Sequence, residues 1–131
     1  MPVGDETVLL VEDDTAIRDL ARQLLQKQGY TVLEARSSQE GLQVAAGFAG
    51  TIHLLLTDVV LPDQSGKVLA DELAASRPGL RTLYMSGYTD NAIAHHGVLD
   101  PGVAFLQKPF SPVALARQVR AVLDAAPSPQ V

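Results

Sequence analysis

The stretch LLLTDVVLPDQSG, residues 54–66, decides the fold of this chain. It begins with three leucines and shows no alternation of apolar and polar residues, which is typical of a strand covered on both faces of a sheet. Asp58 comes at the end of this apolar run, shortly before a Pro-Asp-Gln-Ser-Gly turn. A buried carboxylate is costly unless a cation or hydrogen bonds compensate it. Asp58 is therefore either a turn residue or part of a site at the edge of a sheet.

Strand and helix patterns alternate on both sides of this stretch. Apolar runs predict five strands, over residues 7–11, 30–35, 52–58, 81–86 and 103–107. Helical periodicity and capping signals predict five helices, over residues 14–29, 37–47, 65–76, 90–96 and 112–125. Alternation of this kind, with unbroken apolar strands, predicts an α/β domain in which helices cover both faces of a parallel sheet.

Local signals mark several helix ends. Asp14 or Thr15 can cap the start of the first helix, and Gly29 stands where its C-terminal cap is expected. Ser37 and Glu40 have the spacing of a capping box, in which two side chains satisfy free N–H groups of the first turn. These signals place helix boundaries independently of the apolar pattern.

The composition limits the class of protein. The chain has 131 residues, of which 47% are hydrophobic and 19% charged, and this suits one domain, expected over 7–125, with a flexible start (1–6) and a tail (126–131). A net charge of −5 argues against nucleic-acid binding, and the lack of cysteine excludes disulfides and thiolate metal sites. The start lacks signal-peptide features, and no apolar run reaches the roughly 20 residues of a membrane span. We therefore expect a cytoplasmic chain without membrane contact.

Polar residues stand at the carboxyl ends of four predicted strands. Glu12 and Asp13 follow the first strand, Asp58 ends the third, Ser86 ends the fourth and Lys108 follows the fifth. Parallel strands bring these ends to one edge of the sheet, where α/β proteins place their sites. Clustered carboxylates repel one another, and Mg²⁺ suits such a cluster together with phosphate oxygens. Each residue alone is commonly a cap, a turn residue or a surface charge. Together they indicate phosphoryl transfer to Asp58, with Lys108 and Ser86 binding phosphoryl oxygens.

Four motifs resemble the receiver domain of response regulators in two-component signalling. They are VLLVEDD at 8–14, LLLTDVVLPDQSG at 54–66, YMSGYTD at 84–90 and FLQKPF at 105–110. They run in order and cover essentially the whole chain. The resemblance implies the flavodoxin-like (βα)5 fold, a five-stranded parallel sheet with helices on both faces and the strand order 2-1-3-4-5.

The resemblance also implies roles for the residues at the edge of the sheet. Asp58 corresponds to the phosphoacceptor. Asp13, Asp58 and the backbone carbonyl of Val60 correspond to the ligands of Mg²⁺, with Glu12 acting mainly through water. Lys108 corresponds to the lysine that contacts the phosphoryl group.

A conformational switch and its partners are implied as well. Ser86 corresponds to the hydroxyl residue that follows phosphorylation, and Phe105 to the aromatic residue that turns in or out. The peptide bond between Lys108 and Pro109 is expected to be cis. The expected partner is a histidine kinase or a histidine phosphotransfer domain. The last two strands and helices form the surface on which a homodimer would assemble.

Some features depart from the family pattern, and some alternatives stay open. Glu12 stands where aspartate is commoner, and Phe105 where many members have tyrosine. An aspartyl-phosphate hydrolase would need a second acid at the position of Val60, and a pseudo-receiver that only binds partners is disfavoured by the intact Asp58 and Lys108. As an isolated domain, the chain would catalyse only its own phosphorylation and dephosphorylation. It is either part of a hybrid histidine kinase or a single-domain response regulator.

Overall fold

Strands alternate with helices over residues 4–86, as the sequence predicts. The structure is a computed structural model that describes residues 4–86 and 104–125. Its elements are β1 (Thr7–Val11), α1 (Thr15–Lys27), β2 (Thr31–Ala35), α2 (Ser38–Gly47), β3 (Leu54–Asp58), α3 (Gly66–Ser76), β4 (Arg81–Ser86), β5 (Ala104–Gln107) and α4 (Pro112–Asp124). The helix predicted over 90–96 lies outside the described residues.

The strands form one sheet in the order β2-β1-β3-β4-β5. Every neighbouring pair is parallel, and Leu9 of β1, for example, pairs with Leu33 of β2 and with Leu55 of β3. The order therefore reverses at β1, which has β2 on one side and β3 on the other. This confirms the predicted flavodoxin-like fold and its strand order.

Two apolar cores lie on the opposite faces of the sheet. Leu10 and Leu56 belong to the core under α1 and α4, whereas Leu9 and Leu55 belong to the core under α2 and α3. All five residues of β3 are buried, because this central strand is covered on both faces. This burial on both faces explains the unbroken apolar run at the start of residues 54–66. None of the described helices has the length and apolar character needed to cross a bilayer.

The helix boundaries follow the local signals, with one difference. Of the two candidate caps of α1, Asp14 accepts an N–H of the first turn at 3.1 Å. Gly29 follows α1 with a φ of +102°, which residues with a Cβ atom avoid. Ser37 accepts the N–H of Glu40 at 3.1 Å, but the Glu40 carboxylate accepts the N–H of Arg36, at 3.0 Å, rather than that of Ser37. The capping box of α2 is thus one residue wider than its spacing predicts.

Ion pairs and hydrogen bonds tie the segment before β1 to the last helix. Nη2 of Arg120 lies 2.6 Å from a Glu6 oxygen and 2.8 Å from an Asp124 oxygen. Nη1 of Arg120 donates to the hydroxyl of Tyr30 at 3.3 Å. The hydrogen bond from Arg120 lowers the pKa of Glu6 from 4.5 to about 2. Glu6 therefore stays charged in the folded chain at pH values where an unpaired glutamate takes up a proton.

Glu6→Gln should reduce the stability of the fold in a pH-dependent way. A carboxyl whose pKa is lowered by folding stabilises the fold above its unfolded pKa, and this contribution is lost as the pH falls from 4.5 towards about 2. We expect a loss of about 1 kcal/mol in the free energy of unfolding at pH 7, because water still reaches this pair. The loss should shrink at pH 3, and urea unfolding at both pH values measures it.

Asp19→Asn is the matched control for Glu6→Gln. It removes the longer contact between Asp19 and Arg22, at 3.6 Å within α1, and should change the free energy of unfolding very little. An equal loss for Glu6→Gln at pH 7 and pH 3 would contradict the lowered pKa of Glu6.

Candidate functional site

The structure brings the predicted polar residues to one edge of the sheet. Glu12 follows β1, Asp58 ends β3, Ser86 ends β4 and Lys108 follows β5. Because these four strands are adjacent and parallel, their carboxyl ends lie side by side. The edge includes the reversal of strand order next to β1, where open α/β sheets bind their ligands.

Lys108 connects the two buried carboxylates of this edge. Its Nζ lies 2.8 Å from Oδ2 of Asp58 and 3.2 Å from Oε2 of Glu12. The backbone N–H of Lys108 donates to the carbonyl of Ser86 at 2.8 Å, so the start of the side chain is anchored to β4. The peptide bond between Lys108 and Pro109 is cis, as predicted.

Burial controls the charges of the site. Glu12 is 0% exposed and Asp58 is 5% exposed. The pKa of Glu12 is raised to about 7, mainly by burial; the N–H of Asp14 acts to lower it, and the charge of Asp58 acts in the same direction as burial. Burial acts to lower the pKa of Lys108, but the hydrogen bond and charge of Asp58, together with those of Glu12, outweigh it and raise this pKa. Lys108 is therefore the cation that allows the two carboxylates to be buried together.

The carboxylates are close enough to share a metal ion. Glu12, Asp13 and Asp58 each offer an oxygen, and these oxygens all lie within 4.8 Å of one another. Asp13 is exposed while the other two are buried, so the cluster opens to solvent on the side of Asp13. The N–H of Val60 lies 3.4 Å from Oδ1 of Asp58, which places the loop with the predicted carbonyl ligand beside the cluster. Oxygen donors with an open side for water are the set that Mg²⁺ prefers, so these residues fit the predicted cation.

The loop after Asp58 requires a glycine. A Cβ atom at Gly66 would lie 2.2 Å from the carbonyl oxygen of Asp58, so only glycine lets α3 begin this close to β3. The N–H of Gly66 donates to the carbonyl of Val59 at 2.7 Å. Ser65 caps α3 by accepting the N–H of Val68 at 3.2 Å. These contacts turn the chain directly after the candidate phosphoacceptor.

The two predicted switch residues lie on the same face of the sheet. Ser86 pairs with Gln107, and Tyr84 pairs with Phe105, in the register of β4 and β5. Residues two apart in a strand share a face, so Ser86 and Phe105 share one as well. Ser86 is partly buried, and Phe105 is 38% exposed with its ring centroid 6.4 Å from that of Tyr84. Phe105 is therefore the more exposed of the two predicted switch residues.

Two residues that support the site were not predicted from the sequence. Arg18 of α1 donates to the carbonyl of Glu12 at 2.9 Å and lies 3.5 Å from the Glu34 carboxylate. Asp63, in the loop after β3, accepts N–H groups of α2. Arg18 is four residues, or about one helical turn, after Asp14, the cap of α1. This local spacing could have been used to predict its contact with the end of β1. Asp63 has no such signal, because its partners in α2 are 24 and 25 residues away.

A protein-family model matches most of this chain. The family described as "Response regulator receiver domain" matches residues 8–120. The chain belongs to this family. It is a receiver domain of two-component signalling. The matched range lies within the domain expected over 7–125, and the ends of that domain stay a prediction.

Curated relatives contain the receiver domain as one part of a longer protein. The sensor kinase CckA of Brucella abortus is 39% identical over 121 residues, which is 92% of this chain and 13% of that protein. The phosphate regulon transcriptional regulatory protein PhoB of Pseudomonas aeruginosa is 34% identical over 123 residues, which is 90% of this chain and 52% of that protein. The chain therefore spans about half or less of these relatives.

Solved structures share the fold of the receiver domain along most of its length. The receiver domain of the hybrid histidine kinase CckA has a TM-score of 0.75 and 33% identity, and the match covers 90% of this chain and 99% of that one. A CheY-like receiver domain protein from Methanospirillum hungatei JF-1 has a TM-score of 0.77 and 32% identity, with coverages of 92% and 95%. The sequence and the fold thus indicate the same family.

Glu12→Gln should change how the stability of the metal-free receiver domain depends on pH. Folding raises the pKa of Glu12 from 4.5 to about 7, so between these values the folded chain keeps a proton that the unfolded chain has lost. Stability contributed by this group therefore falls as the pH rises. The substitution should remove a loss on the order of 2–3 kcal/mol between pH 5 and pH 8. Urea unfolding in the presence of a chelator measures the difference.

Glu72→Gln serves as the control for Glu12→Gln. Glu72 is an exposed glutamate of α3, and its replacement should leave the dependence of stability on pH as it is in the wild type. A Glu12→Gln variant with the wild-type dependence would show that burial does not raise the pKa of Glu12.

Proposed function

We propose that the receiver domain accepts a phosphoryl group on Asp58 from the phosphohistidine of a histidine kinase or of a histidine phosphotransfer domain. The contact between Lys108 and Asp58, 2.8 Å from Nζ to Oδ2, carries this proposal. It joins the ends of β5 and β3 at an edge that also holds Glu12 and Asp13. A carboxylate nucleophile, an acidic cluster and a lysine are the groups that phosphoryl transfer to aspartate requires. Membership of the receiver family supports the phosphohistidine as the donor.

In the proposed reaction, a carboxylate oxygen of Asp58 forms a bond to phosphorus as the bond between phosphorus and the histidine nitrogen breaks. The imidazole leaves and takes up a proton from solvent, and an aspartyl phosphate remains. Lys108 neutralises Asp58 before the reaction, and its ammonium group is close enough to pair with a phosphoryl oxygen afterwards. Ser86, at the end of the neighbouring strand, offers its hydroxyl to another phosphoryl oxygen.

Asp13, Asp58 and the carbonyl of Val60 would hold Mg²⁺, with Glu12 acting through water. Bound there, Mg²⁺ would offset the repulsion between the carboxylates and an incoming phosphoryl dianion. The oxygens of the three acidic residues, all within 4.8 Å of one another, support this assignment. Val60 also bears on the alternative function, because an aspartyl-phosphate hydrolase would need an acid at this position.

Asp58→Asn should abolish Mg²⁺-dependent phosphorylation. With acetyl phosphate as the donor and Mg²⁺ present, the intact mass of the wild type should rise by one phosphoryl group, because the cation offsets the repulsion of the dianion. Excess chelator should prevent this rise. Asp71→Asn, at an exposed position of α3 that pairs with Lys67 at 3.2 Å, is the matched control and should be phosphorylated like the wild type. Labelling that survives Asp58→Asn would place the acceptor elsewhere, and equal labelling with chelator would remove Mg²⁺ from the reaction.

Ser86 and Phe105 provide the proposed readout of phosphorylation. A phosphoryl group on Asp58 places acceptor oxygens near the end of β4, and the hydroxyl of Ser86 moves towards them. This movement leaves room beside β5 into which Phe105, 38% exposed at present, turns. Burial of a phenylalanine ring contributes about 1.5–3 kcal/mol, enough to bias a surface with two conformations. Among the described elements this surface includes β5 and α4, where a partner or a second copy would bind.

Ser86→Ala and Phe105→Ala should each remove most of the response to phosphorylation. The response is the change in partner binding or self-association on adding beryllofluoride, a mimic of the phosphoryl group. If the two residues act as one switch, the double variant should lose little more than either single variant. Losses that add fully in the double variant would show that Ser86 and Phe105 act independently.

The donor of the phosphoryl group depends on whether the receiver domain belongs to a hybrid histidine kinase or acts alone. The 39% identity with the sensor kinase CckA of Brucella abortus supports the first arrangement. Sequencing the full open reading frame tests the first arrangement. We expect it to encode a kinase domain upstream of the receiver domain. An independent short frame would instead make the chain a single-domain response regulator. The cytoplasm is the proposed location in both cases.

A further inference from the structure

Helix α2, which lies on the same face of the sheet as α3, holds the tip of the loop between β3 and α3. Oδ1 of Asp63 accepts the N–H of Ser38 at 3.0 Å and that of Gln64 at 3.1 Å, and Oδ2 accepts the N–H of Gln39 at 2.9 Å. Two of these three donors belong to the first turn of α2, where N–H groups have no acceptor within the helix. The hydrogen bonds of Asp63 to α2 are called the Asp63 clamp below.

The Asp63 clamp completes the cap of α2. Ser37 accepts two N–H groups of the first turn, that of Glu40 at 3.1 Å through its side chain and that of Gly41 at 2.9 Å through its carbonyl. The other two N–H groups of this turn are the ones that Asp63 accepts. The partial positive charge of a helix N-terminus favours a carboxylate there. Hydrogen bonds from the backbone, that of Gln39 first, lower the pKa of Asp63, so it remains ionised.

Gln64, the residue after Asp63, makes a second contact between the loop and α2. Gln64 donates from its amide nitrogen to the hydroxyl of Ser38, a residue of α2 that is 0% exposed. The same nitrogen lies 3.4 Å from a carboxylate oxygen of Glu72 in α3. The buried hydroxyl of Ser38 would be costly without a hydrogen-bond partner. This need favours the position in which Gln64 donates to it. The tip of the loop is thus attached to α2 by both Asp63 and Gln64.

The clamp joins the loop that contains Val60 to a helix that packs on β1, the strand before Glu12. The loop contains Val60, whose N–H lies 3.4 Å from Oδ1 of Asp58. On the other side, α2 packs closely on the end of β1, because a Cβ atom at Gly41 would lie 3.2 Å from Val11, the residue before Glu12. Helix α2 therefore packs on β1 and also holds the loop that follows β3.

We propose that Asp63 is a positioning residue for the metal site, which keeps the carbonyl of Val60 available to Mg²⁺ by anchoring the loop to α2. This role rests on the proposed function, because it takes the Val60 carbonyl as a ligand. Replacing a group that directly orients a metal ligand commonly weakens metal binding about 10–100-fold. Asp63 acts one step further out, through the loop backbone, and we expect its removal to weaken Mg²⁺ binding about 3–10-fold.

The test compares Asp63→Ala with Ser37→Ala, because both remove acceptors from the first turn of α2 but only Asp63 holds the loop. Calorimetric titration with MgCl₂ gives the dissociation constant, and thermal unfolding gives the stability of each variant. We expect both variants to unfold at a lower temperature and only Asp63→Ala to bind Mg²⁺ more weakly. Asp63→Asn, which keeps one carbonyl oxygen for the N–H of Ser38, should recover part of the affinity.

Phosphorylation by acetyl phosphate at several Mg²⁺ concentrations gives a second readout. Asp63→Ala should react slowly at low Mg²⁺ and at the wild-type rate at saturating Mg²⁺, because only the affinity for the cation changes. Unchanged Mg²⁺ affinity in Asp63→Ala, or equal weakening in Ser37→Ala, would overturn the positioning role while wild-type phosphorylation on Asp58 still stood. A wild type that binds Mg²⁺ but is not phosphorylated would overturn the proposed function, and the Mg²⁺ titrations would still decide the role of Asp63.

Discussion

Two acidic groups buried at one edge of the sheet are the constraint on which this site depends. Glu12 and Asp58 leave water on folding, and such a pair is unfavourable without a compensating cation. Lys108 compensates both, at 3.2 Å and 2.8 Å, from the position directly after β5, a strand that is separated from β3 by β4. The proposed Mg²⁺ and phosphoryl group would act on this same balance, since each changes the charge that Lys108 has to neutralise. We therefore expect the charge balance of the site to respond to both.

Apolar packing holds these charges in place. Two of the strands that end at the site, β1 and β3, contribute side chains to the cores on both faces of the sheet, and neither strand can shift without disturbing both. Parallel pairing fixes the relative positions of the strand ends, as in the pairing of Val11 with Thr57. The carboxylates thus extend from a rigid sheet, and their mutual repulsion cannot be relieved by moving the strands apart.

The loops at this edge are held by residues of neighbouring elements. Arg18 of α1 binds the carbonyl of Glu12 at the end of β1, and Asp63 binds the first turn of α2. The segment after β5 is attached through the N–H of Lys108 to the carbonyl of Ser86. Each of these three described segments therefore has a contact with a neighbouring element. Such contacts favour a pre-organised site, because loops that are already ordered lose less conformational entropy when a ligand binds.

The sequence by itself determined the order and type of the described elements, the edge of the sheet that carries the site and the residues placed there. This was possible because apolar runs and caps are local patterns, and because parallel strands bring their carboxyl ends together. Only the tertiary structure decided the partners of Lys108, Asp63 and Arg120. Lys108 meets Asp58 and Glu12 from 50 and 96 residues away, Asp63 meets α2 from 24 and 25, and Arg120 meets Glu6 from 114. Polar contacts over such separations follow from the packing of strands and helices, which no local pattern of residues encodes.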